Sequence, residues 1–161
     1  EAMWASKLGL ASYNANLVNE LLELMVRSKL DYTIFFRKLS AIPEHLSVLK
    51  ESFYQPSSEE LDGQWGQWLG RWREQITSNG DLSATSAAMQ WVNPAVTWRE
   101  WLIAPAYEQA ARGDYTLIQE LQELFSHPYR SPAAGLAATY DRLKPREFFN
   151  AGGVSHYSCS S

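Results

Sequence analysis

Apolar residues recur at three- and four-residue intervals along almost the whole chain, and no segment keeps the two-residue alternation of a half-buried strand. Asn14 or Asn16 can cap a helix whose Leu17, Leu21, Leu24 and Met25, flanked by Val18 and Leu22, form one broad stripe. Asp31 can cap a second helix over residues 32–39, bulked by Ile34, Phe35 and Phe36, until Pro43 forbids simple continuation. A short helix is expected over 44–53. Ser57 and Ser58 followed by Glu59 and Glu60 form a start signal, because hydroxyls accept from free N–H groups and carboxylates favour the positive helix end; that helix should run to Ile76. Ser78, Asn79, Gly80 and Asp81 stop it and open a polar connector leading to Trp91, Val92, Asn93 and Pro94.

Thr97 can then cap a helix through Arg112, with a kink expected where Pro105 removes the hydrogen bond to the Trp101 carbonyl. Gly113 ends it and Asp114 caps the next, in which Leu117, Ile118, Leu121, Leu124 and Phe125 mark one face before His127 and Pro128 close it. Beyond that point Pro132, Gly135, Pro145, Gly152 and Gly153 break the pattern into short turns and tail. The pattern predicts an all-α fold: a compact multi-helix domain over 1–146, followed by an irregular C-terminal tail over 147–161 that carries Cys159. Glu1 stands first, and Ala2 to Leu8 read like the last turns of a helix already under way, so the expectation is a piece of a larger protein.

Composition narrows the function classes. A chain of 161 residues with 45% hydrophobic content can bury a real core. A net charge of -4 and a pI near 5.4 give no basic surface for phosphates, so no nucleic-acid partner is expected. No apolar run is long enough to span a bilayer, so no membrane partner is expected either. The single cysteine allows no internal disulfide and fits a reducing compartment.

Three features invite a functional reading. Trp65, Trp68 and Trp72 fall at i, i+3 and i+7, on one side of a helix; they form either a core face or a stacking and docking platform. Gly63, Gly66 and Gly70 interrupt the same helix and would let a neighbouring backbone approach closely. Cys159 stands in a polar tail with no adjacent Lys or Arg to lower its thiol pKa, so the residues alone allow both a reactive thiol and an unimportant terminal one. His45, His127 and His156 are far apart, and there is no HExxH, CxxC, Walker A loop, GxGxxG or GxSxG. Glu20 with Glu23, and Glu120 with Glu123, read as solvated helix faces rather than acid/base pairs. No catalytic, cofactor-binding or metal-ligating residue is assigned.

An ordered set of motifs adds to this. Lys7-Leu8-Gly9-Leu10, the run from Asp31 to Leu39, Asn93-Pro94, Trp98-Arg99-Glu100-Trp101-Leu102, Gly113-Asp114-Tyr115, Leu124-Phe125-Ser126-His127-Pro128-Tyr129 and the closing Ser158-Cys159-Ser160-Ser161 together resemble the C-terminal end of the SelO (selenoprotein O) family. The resemblance implies a parent protein with a kinase-like domain that binds ATP with Mg and passes AMP to Ser, Thr or Tyr hydroxyls of proteins. The ATP- and metal-contacting residues of the family lie upstream of the matched part, so none is carried onto this chain. Cys159 matches the position that holds selenocysteine or cysteine in the family, which implies a redox-regulatory role and a disulfide with a cysteine of the kinase-like domain. The implied partners are that domain and the parent's protein substrates. The implied location is the cytoplasm of a bacterium, or the mitochondrion for a eukaryotic homologue. A free-standing helical module that binds another protein through its aromatic faces is the second expectation.

Overall fold

The computed structural model describes residues 1–78 and 80–149; the expectations attached to His156 and Cys159 fall outside these. The described residues form helices joined by turns, with no strand among them beyond one isolated antiparallel bridge, Leu30 to Phe53. The all-α expectation holds. Two compact units divide the chain, Glu1–Pro94 and Ala95–Ser161.

In the first unit, α1 (Ala2–Leu8), α2 (Ala15–Ser28), α3 (Tyr32–Leu39), α4 (Leu46–Lys50), α5 (Glu59–Thr77) and α6 (Leu82–Val92) follow in order. Short polar side chains set several starts: Asn14 accepts from the Leu17 N–H at 3.1 Å, Asp31 from Ile34 at 3.0 Å and Ser58 from Leu61 at 3.3 Å. Helix α4 is shorter than the expected 44–53. The chain after it is claimed by other bonds, Asp31 N–H to the Ser52 carbonyl at 2.8 Å and Tyr54 N–H to the Lys29 carbonyl at 3.2 Å.

The stretch expected to be a polar connector is instead helix α6. Its only fully buried residue is Met89, so no apolar stripe announces it. Asp81 caps it through the Ser83 N–H at 2.8 Å, and Ala84, Ala87 and Ala88 favour helix intrinsically. Gly9 explains how α6 closes on α1. Its φ of +65° is the left-handed C-cap conformation, and a Cβ built there would stand 2.6 Å from Thr85 Cγ2 and 2.8 Å from Met89 Sδ.

The core of this unit is aromatic. Trp65, Trp68 and Trp72 are fully buried, Trp65 meeting Trp68 edge-on at 5.8 Å and Trp68 stacking on Trp72 at 6.0 Å. Each indole N–H finds an acceptor: Ser28 Oγ at 2.7 Å, the Leu17 carbonyl at 2.9 Å and the Leu8 carbonyl at 2.8 Å. Three hydrogen bonds thus tie α5 to α2 and α1, and the tryptophans are core rather than platform. The glycines do not serve close packing. Gly63, Gly66 and Gly70 lie on the exposed face of α5, and a Cβ at any of them would meet nothing within 4 Å.

The second unit holds α7 (Glu100–Ala110), α8 (Thr116–Ser126), α9 (Ala134–Tyr140) and a 3-10 turn at Arg146–Phe148. Helix α7 begins after Arg99 rather than Thr97 and continues through Pro105. Gly113 (φ +88°) turns the chain, and Asp114 accepts from the Thr116 N–H at 3.0 Å and its hydroxyl at 2.7 Å, bonds that hold its carboxyl below the usual range. Val96, Trp101, Leu102, Ala106, Leu121, Leu124 and Tyr140 form the core. The stretch expected to be short turns supplies α9, anchored by Tyr140, whose hydroxyl donates to Glu120 at 2.7 Å.

Candidate functional site

Two places in the described residues carry chemistry beyond packing. The first is a buried polar node in the first unit. Lys7 is buried, and its ammonium donates to Asn93 Oδ1 at 2.7 Å and sits over the rings of Phe36 at 4.5 Å and Tyr32 at 5.1 Å. Burial pushes its pKa down from the ordinary lysine value, and it pushes that of Tyr32 up. Asn93 is fully buried and turns its amide N–H groups to the Lys7 carbonyl and Ser40 Oγ, both at 2.9 Å. Arg37 donates to the Gln90 and Asn93 carbonyls at 3.1 and 3.2 Å. Side chains from α1 and α3 thus converge on the residue before Pro94. Nothing in the spacing of Lys7 announced its burial, because lysine rarely goes inside.

The second place is an apolar groove of about 400 Å³ along α7 and α8, lined by Trp98, Ile103, Ala106, Tyr107, Ile118, Leu121, Gln122, Phe125 and Ser126. Trp98 is 69% exposed and stacks one face on Phe125, ring centres 5.1 Å apart at 21°. The lining holds no charged side chain. One signal for it was in the sequence: the five apolar residues of α8 are more than one core face needs. Leu121 and Leu124 are buried in the core and Ile118 and Phe125 pack half-buried against it, while Ile118, Leu121 and Phe125 also line the groove.

The remaining candidates scatter. His45 sits at the N-cap of α4 without a capping side-chain bond. Exposed His127 has Nε2 3.9 Å from Glu123. Glu20 pairs with Arg71 and Glu120 takes the Tyr140 hydroxyl, so neither glutamate pair forms a dyad. Asp62 accepts from Lys50 at 2.6 Å and from Ser57, which holds its carboxyl below the usual range. Among the described residues no group of three or more His, Cys, Asp or Glu is placed to hold a metal ion. Among the described residues no helix is long and apolar enough to cross a membrane.

The family described as protein adenylyltransferase SelO matches residues 1–126. The chain belongs to the SelO family. Proteins named protein nucleotidyltransferase YdiU from Tolumonas auensis, Methylobacillus flagellatus and Xanthomonas axonopodis pv. citri are 33%, 30% and 33% identical to it. Those alignments take in 98–99% of this chain and 32% of each relative, so it spans about a third of the SelO relatives it matches. All the residues lining the groove fall within the segment matched to SelO.

Proposed function

We propose that this chain is the C-terminal helical part of a SelO-type protein adenylyltransferase, which supports a kinase-like catalytic domain and supplies a redox-regulatory thiol at Cys159. The observation that carries the reading is the family match over 1–126, combined with relatives three times as long that align along nearly all of this chain. In that parent a Ser, Thr or Tyr hydroxyl of a protein substrate takes AMP from ATP and pyrophosphate leaves. The ATP and Mg belong to the part of the parent upstream of this segment, and no step of the transfer is assigned to residues of this chain. A bacterial parent would work in the cytoplasm.

The second reading, a free-standing module binding through its aromatic faces, loses its main surface because Trp65, Trp68 and Trp72 point inward. The test is transfer of label from α-labelled ATP onto protein, with and without reductant. The full-length parent should label substrates and this chain alone should not; micromolar ATP binding by the chain alone would refute the division of labour. Cys159→Ser should leave the helical content unchanged and abolish the response to reductant. A response that survives this change would remove Cys159 from the switch.

A further inference from the structure

We propose that the α7/α8 groove is the seat of an apolar helix contributed by the two-thirds of the parent protein that lie outside this chain. The inference rests on the reading of the chain as part of a SelO-type protein and names the surface through which it joins the rest.

Shape comes first. Helix α8 presents Ile118, Gln122 and Phe125 at i, i+4 and i+7, and α7 presents Ile103 and Ala106 alongside, so the groove follows two helix axes over about two turns. A third helix laid along such a trough docks its own apolar stripe ridge into groove. Chemistry comes second. With no charged side chain in the lining, and polar groups only on Gln122, Ser126, the Tyr107 hydroxyl and the Trp98 indole N–H, the occupant must be uncharged where it touches. Exposure comes third. Trp98 leaves most of its indole in water although it is stacked on Phe125 and stands at the mouth of a cavity of about 400 Å³, as a buried interface aromatic does when its partner is missing. The source follows from length, since the relatives carry about twice as much chain outside the matched segment as within it.

Hydroxyl-radical footprinting read by mass spectrometry tests this side chain by side chain, on the chain as given and on the full-length parent. Oxidation of Trp98 should fall roughly tenfold in the parent, as its exposure drops from 69% to that of an interface core. Exposed Val26 and Tyr115 serve as references within each sample. Gln122→Lys, at an exposed position of the lining, should leave the helicity and melting temperature of the isolated chain unchanged while restoring Trp98 oxidation in the parent. Equal oxidation of Trp98 in both proteins would overturn the proposal. So would protection in the isolated chain that grows with its concentration, which means a second copy, or protection there that vanishes on removing residues 150–161, which means the tail. Adenylylation by the parent is scored separately, so an active parent with an open groove sinks this inference alone.

Discussion

Replacing Gly9 with Ala and Gly66 with Ala is one chemical change made in two surroundings, and the structure gives the two opposite signs. At Gly9 the backbone is left-handed, which costs an L-residue about 1–2 kcal/mol. The added methyl also meets Thr85 Cγ2 at 2.6 Å and Met89 Sδ at 2.8 Å. Met89 can shift its flexible end, but Thr85 is stiff at χ1, so forcing α1 and α6 apart adds about 1–3 kcal/mol. Restricting the unfolded chain returns about 0.4–1 kcal/mol. The net expectation is a loss of about 1–5 kcal/mol. Gly66 lies in the interior of α5, exposed, with nothing within 4 Å of a built Cβ, so Ala there should stabilise by about 0.5–1 kcal/mol. Urea unfolding followed by the fluorescence of the buried indoles measures both, with equal slopes required before the midpoints are compared. Midpoints that move in the same direction, or a neutral Gly9→Ala, would refute the account of how α1 meets α6.

Trp68→Ala should cost about 3–5 kcal/mol, whereas Trp68→Phe should cost much less because the Leu17 carbonyl keeps its helical partner; equal losses in urea unfolding would mean that packing is not the cause. Lys7→Met leaves Asn93 Oδ1 without its donor and should cost about 1–3 kcal/mol at pH 7. Because folding lowers the Lys7 pKa, the unfolded chain binds more protons below 10.5, so wild-type stability rises as pH climbs through that window and its lead over Lys7→Met should widen. Tyr140 has the opposite sign: burial first, then its bond to Glu120, push its pKa up to about 12. Its contribution is present below pH 10 and is lost on the way to 12, so Tyr140→Phe should flatten the alkaline limb of a stability profile, and an unchanged limb would rule Tyr140 out as its source.

What the sequence made legible follows from which elements advertise themselves. Helices α2, α3 and α5 each combine a capping side chain with a broad buried stripe, and both signals survive in the structure at Asn14, Asp31 and Ser58. Helices α6 and α9 give no such stripe. Each buries one large residue, Met89 or Tyr140, and is held by a tertiary contact that a local pattern does not encode. Glycines mislead for a related reason. Gly9 and the triplet Gly63, Gly66 and Gly70 look alike as letters, yet only at Gly9 does a neighbouring helix occupy the space a side chain would need.

The candidate site was less legible than the fold because its parts were assigned by periodicity to a single core. Ile118 and Phe125 share an apolar stripe with Leu121 and Leu124, and only packing shows that Ile118 and Phe125 stay half-buried against the core and line the groove with Leu121. A stripe wider than its own core can fill is the local trace of a surface made for something else. The same logic explains the buried tryptophans of α5, where the partners that use up the stripe are α1 and α2 within this chain. Both helices thus carry more apolar surface than a lone amphipathic helix requires. In α5 the surplus is buried against α1 and α2, with its indole N–H groups bonded to Ser28 Oγ and to the Leu17 and Leu8 carbonyls, whereas in α8 it borders an uncharged trough, and this difference makes the second helix the place to look for a partner.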